Sequence, residues 1–141
     1  GLRSTHEIRI ATFESSLAPM FSGLLASASQ NIGPVTVLGH GLAATWGKGL
    51  QAKLDSYRDY VLGLPASASE DIILLLDAND VLVLGNRNDL IAAFEHLEKA
   101  TGKHVFFGGE DGGAGPLISG QRSLADREHV HTRWIYLNSG L

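Results

Sequence analysis

Two aspartates three residues apart, Asp77 and Asp80, follow directly on the continuous apolar run that closes Asp71–Leu76 (DIILLL). Carboxylates at this spacing around a turn can share one divalent cation and leave its other positions to phosphate oxygens and water. Mg2+ or Mn2+ held there would neutralise a diphosphate and stabilise it as a leaving group. Ligands of open α/β sheets bind beyond the carboxyl ends of the strands, so acidic residues just after a buried strand project toward a ligand. The same pair has a plainer reading, in which Asp77 caps a turn and Asp80 is solvated, because Asp is a common capping and turn residue. Spacing and position leave both readings open.

Other chemistry is less well supplied. A phosphatase of the haloacid-dehalogenase type places a second aspartate two residues after its nucleophile, and here that position is Asn79. No Gly-x-Ser-x-Gly elbow of a serine hydrolase is present. The stretch GGEDGGAG at 108–115 follows a strand-like segment, yet it fits neither Gly-x-Gly-x-x-Gly nor the Walker pattern and reads as a flexible loop or lid. His129 and His131 share a face if extended, but no third ligand is near in sequence and a solvated pair is the simpler reading. Trp46 and Trp134 read as packing residues before sugar platforms.

The elements that must position the acidic pair alternate between strand and helix, which predicts an α/β layer fold with a mostly parallel sheet. Strands are expected at Glu7–Phe13, Val35–Leu38, Asp71–Leu76, His104–Phe107 and Trp134–Leu137. Helices are expected within Pro19–Asn31, at Leu50–Leu62 on a stripe of Leu50, Leu54, Tyr57 and Val61, and at Asn88–Ala100 on Leu90, Ile91, Phe94 and Leu97. Gly102 stops the last of these. Pro65–Ser69 is a small polar linker.

The chain has 141 residues, 44% hydrophobic and 18% charged, with a net charge of −4 and no Lys/Arg cluster. That balance describes one globular domain rather than a disordered chain, and it argues against a nucleic-acid partner. Cysteine is absent, which excludes disulfides, thiolate zinc sites and a cysteine nucleophile. No apolar run approaches the roughly 20 residues of a membrane span. Residues 1–6 read as a tail or trimmed end, and 7–141 as the domain.

Several segments, in order, resemble the glycosyltransferase domain of procollagen-lysine hydroxylases and procollagen galactosyltransferases, a GT-A type. They are Ala11-Thr12-Phe13-Glu14, Gly47-Lys48-Gly49 with Lys53 behind it, Ile73–Leu82 (ILLLDANDVL), Val105-Phe106-Phe107-Gly108-Gly109-Glu110, and Tyr136-Leu137-Asn138-Ser139-Gly140. The resemblance implies a GT-A-like (Rossmann-like) mixed, mostly parallel sheet flanked by helices. It implies Mn2+ or Mg2+ on Asp77 and Asp80, and a UDP-sugar donor near Thr12, Glu14, Lys53, Ala78 and Asn79. By the same resemblance Thr12 lies near the uridine, Asn79 lies against the nucleotide, and Lys53 reaches a phosphate or anchors the acidic loop. Glu110, Asn138, Ser139 and Gly140 then border the donor sugar and acceptor.

Two departures qualify the match. The family's tryptophan-containing loop is replaced by Asp111-Gly112-Gly113-Ala114-Gly115-Pro116. Its third metal ligand, a histidine, would lie beyond Leu141, so the expectation is a domain truncated at its C-terminus, with weak metal and nucleotide binding and no activity of its own. The implied function of the parent protein is hexose transfer from a UDP-sugar to a hydroxyl acceptor, with hydroxylysine or galactosyl-hydroxylysine of collagen-like chains as the family's acceptors. The alternatives are a non-catalytic nucleotide- or glycan-binding module of the same fold and, third, the haloacid-type phosphatase. The compartment stays open: the lumen of the endoplasmic reticulum for a eukaryotic family member, the cytoplasm for a microbial or viral one.

Overall fold

The structure is a computed structural model and describes residues 6–16, 21–42, 48–110 and 136–137. The chain divides into two units, residues 1–101 and 102–141.

The first unit holds β1 (Ile8–Phe13), α1 (Phe21–Asn31), β2 (Val35–Leu38), α2 (Lys48–Leu62), a short 3-10 turn (Ala66–Ala68), β3 (Ile72–Leu76) and α3 (Arg87–Thr101). Its sheet is parallel throughout, in the order β2-β1-β3. Ile10 stands opposite Val35 on one side and Leu74 on the other. This is the small α/β unit with a parallel sheet and flanking helices that the alternating pattern predicts.

Period-two alternation decides which residues meet which helix. Ile10 joins Phe21, Leu24 and Ala28 of α1 in the core, with Ile8, Val35, Val37, Leu74 and Leu76 packed beside them. Phe21, Leu24 and Ala28 recur at helical spacing, so α1 lays one stripe on this face. Ala11 points to the other face and is equally enclosed. The crossovers from β1 to β2 and from β2 to β3 run in opposite directions, so right-handed connections put α1 and α2 on opposite faces. At the amino ends of the strands, Arg9 Nε bonds Asp71 Oδ2 at 2.7 Å and the Ile72 N–H donates to Glu7 O at 2.8 Å, which fixes β1 against β3.

The helix ends follow their local chemistry. Asn86 caps α3: its Oδ1 accepts from the Asp89 N–H at 3.0 Å and its Nδ2 donates to Asp89 Oδ2 at 2.7 Å. Gly102, at φ +65°, takes the left-handed turn after α3.

Two expectations change. The predicted strand His104–Phe107 is irregular, with Val105 and Phe107 exposed; apolar, branched and aromatic residues favour a strand only where a pleated surface covers them. In the second unit the ladder is instead β4 (Gly109–Glu110) antiparallel to β5 (Tyr136–Leu137), pairing Gly109 with Leu137 and Glu110 with Tyr136. On α2, Leu54 and Val61 of the predicted stripe are exposed, while Lys53 and Tyr57, four residues apart on one face, are shielded.

Candidate functional site

In a parallel sheet ordered β2-β1-β3, the chain leaves β1 to one side and returns to the other. The crevice between the carboxyl ends of β1 and β3 is therefore the topological switch point, where open α/β sheets bind ligands. Thr12, Phe13 and Glu14 reach it from β1, and Leu76 with the acidic turn Asp77-Ala78-Asn79-Asp80 reaches it from β3.

The acidic turn is held from both ends. Upstream, the Leu76 carbonyl accepts from Thr12 Oγ1 at 2.7 Å and from the Tyr57 hydroxyl at 3.0 Å. Downstream, Val83 is tied to α1 through both of its backbone polar groups: its N–H donates to Ser27 Oγ at 3.0 Å and its carbonyl accepts from Asn31 Nδ2 at 2.7 Å. Ala78 is turned into the core beside Phe21 and Val83.

The polar side chains of the turn point to different partners. Asp77 Oδ1 accepts from Lys53 Nζ at 2.5 Å, with the lysine brought up by α2. Asn79 Nδ2 donates to Glu14 Oε2 at 2.7 Å, and Glu14 Oε1 accepts from the Ser16 N–H at 3.0 Å. Asp80 is exposed. The Tyr57 phenol is pushed up to about 12, chiefly by burial and then by the negative charge of Asp77. It is therefore a neutral donor at physiological pH.

The β2 end closes the other rim. The Glu14 N–H donates to Leu38 O at 2.9 Å and continues the ladder past β1. Gly39, at φ +79°, lies so close to Phe13 that a Cβ there would stand 2.2 Å from the ring. Only glycine fits that approach.

Of the residues singled out from sequence, Thr12, Glu14, Lys53, Asp77, Ala78, Asn79 and Asp80 fall in this one region. Glu110 lies in β4 of the second unit, and Asn138, Ser139 and Gly140 lie outside the described residues. So do Trp46, His129, His131 and Trp134. Thr12 and Glu14, expected beside the nucleotide, are buried, and their side chains bond the chain itself. The supports that the sequence reading missed are Ser27, Asn31 and the phenol of Tyr57. Their only advance signal was helical placement, and each acts on a residue at least nineteen positions away.

The donor set suits a hard divalent cation by type, since it offers carboxylate oxygens. Among the described residues no three His, Cys, Asp or Glu side chains gather into a protein-only metal cage. Mg2+ beside a nucleotide is commonly bound by one or two carboxylates plus phosphate oxygens and water, and Asp77 and Asp80 are the carboxylates of this turn. Asp77 Oδ1 is already paired with the Lys53 ammonium.

No protein-family model, curated protein or solved structure matches the chain. Among the described residues no helix is long and apolar enough to cross a membrane.

Proposed function

We propose that this chain is the nucleotide-sugar-binding part of a GT-A-like, metal-dependent hexosyltransferase that uses a UDP-sugar donor and a hydroxyl acceptor. The observation that carries the reading is the position of the Asp77–Asp80 turn, at the switch point between β1 and β3 and pinned on both sides. A ligand bound there faces two carboxylates and the Lys53 ammonium on a fixed frame. Asp77 and Asp80 would hold Mn2+ or Mg2+, which supplies Lewis-acid stabilisation of a departing diphosphate. Lys53 adds a cation that can leave Asp77 for a phosphate once the metal takes its place. Acceptors of the collagen hydroxylysine type follow from the sequence resemblance alone.

A second reading is favoured by the Lys53–Asp77 pair itself: a non-catalytic module that binds a nucleotide or glycan with no metal. Titration calorimetry of UDP with and without Mn2+ separates the two, on the unmodified chain and on Asp80→Ala. The transferase reading expects binding that requires Mn2+ and is weakened at least about tenfold by the substitution, the loss of a hydrogen-bond-strength contact to a charged group. Binding that is independent of metal and unchanged in Asp80→Ala would remove it in favour of the second.

A further inference from the structure

Two polar side chains are buried among the described residues, Thr12 and Glu14. A buried carboxylate is costly unless hydrogen bonds satisfy it. Both Glu14 oxygens are occupied, one by the adjacent Ser16 N–H and the other by the Asn79 amide from 65 positions along the chain. That second bond spans the crevice between β1 and β3 and grips the acidic turn at its middle. Ala78 beside it faces the core, so the turn is held between an apolar anchor and a charged one.

We infer that Glu14 is a positioning residue, which sets the conformation of the Asp77–Asp80 turn through Asn79 and does not itself touch the nucleotide. The inference rests on the reading of this turn as the nucleotide site. The charge on Glu14 strengthens the bond to Asn79, because hydrogen bonds to ionised acceptors are stronger than neutral ones. Held in this way, the two metal-binding carboxylates are presented in one arrangement rather than searched for, which lowers the ordering cost of binding.

The test is a charge swap across the bond. Asn79→Asp brings two carboxylates together where a hydrogen bond stood. The variant is expected to speed amide exchange across residues 77–80 and to weaken UDP binding with Mn2+ by about tenfold or more, the scale of a charged hydrogen bond. The added carboxylate attracts the cation but repels the diphosphate, so amide exchange measured without UDP is the readout that isolates the conformation of the turn. In Glu14→Gln/Asn79→Asp the amide at position 14 donates to the carboxylate at position 79 with the net charge unchanged. Both readouts are expected to return to within about twofold of the unmodified chain. A double variant as impaired as Asn79→Asp, an indifferent Asn79→Asp, or exchange rising equally across α1 and β3 would overturn the positioning role. Should the unmodified chain bind no UDP, the nucleotide reading falls, while the exchange arm still decides whether Glu14 sets the turn.

Discussion

Replacing Lys53 by Met keeps most of the side-chain stem and withdraws the ammonium from its 2.5 Å contact with Asp77 Oδ1. The Lys53 and Asp77 side chains are 13% and 25% exposed, so the pair lies between the surface and the buried limits. Exposed pairs are worth about 0–1 kcal/mol, and breaking a fully buried one costs about 3–5 kcal/mol. Interpolating gives a loss of about 1–3 kcal/mol, most of it the cost of an uncompensated carboxylate. For a unit of about 100 residues each kcal/mol lowers the melting temperature by about 4–8 °C. Asp77→Asn removes the charge that needs compensating, so Lys53→Met/Asp77→Asn should recover about 1 kcal/mol or more relative to additivity. A divalent cation on Asp77 replaces the missing charge. Mn2+ should therefore raise the melting temperature of Lys53→Met more than that of the unmodified chain, and should do nothing for the double variant. Circular-dichroism melts over a Mn2+ series measure all four proteins. Additive losses, or equal Mn2+ shifts in Lys53→Met and the unmodified chain, would refute the reasoning.

Gly39→Ala should destabilise by about 1–3 kcal/mol in urea unfolding, since it adds a Phe13 clash to a strained φ. Gly41→Ala, at φ +80° but in open space, should lose only about 1–2 kcal/mol. Because the Tyr57 phenol is raised from 10.0 to about 12, the unfolded chain gives up that proton first as the solution turns alkaline. Its contribution is then fully present below about pH 10 and is lost toward about pH 12. Ultraviolet titration should show one of the three tyrosines ionising late, and Tyr57→Phe should abolish that late phase. Ser27→Ala takes away the acceptor for the Val83 N–H and should cost about 1–3 kcal/mol, with faster exchange at that amide.

The elements of the first unit were legible because their signals are local. Alternation marks Ile8 and Ile10, an unbroken apolar run marks Ile72–Leu76, and Gly102 marks the end of α3. The position of the acidic turn was legible for the same reason, since it follows the apolar run of β3, although Leu75 in that run is exposed rather than covered. What the turn is tied to was not. Glu14 meets Asn79 and Ser27 meets Val83 only after the sheet forms, and no spacing rule links residues so far apart. The stripe Leu50, Leu54, Tyr57 and Val61 marked α2 as a helix, but not which side is shielded: Leu54 and Val61 are exposed, while Lys53 and Tyr57 cover their stems and deliver polar tips. His104–Phe107 carries strand-forming residues without the covering surface that strands need.

On the proposed function, a divalent cation and a nucleotide would meet at the carboxyl ends of β1 and β3. Paramagnetic broadening of backbone amide signals, on adding substoichiometric Mn2+ with UDP, reads that location directly. The expected result is broadening centred on Asp77 to Asp80, extending to Thr12, Glu14 and Lys53, and lost in Asp80→Ala. Broadening centred on residues 129–131, or spread without a centre, would contradict it.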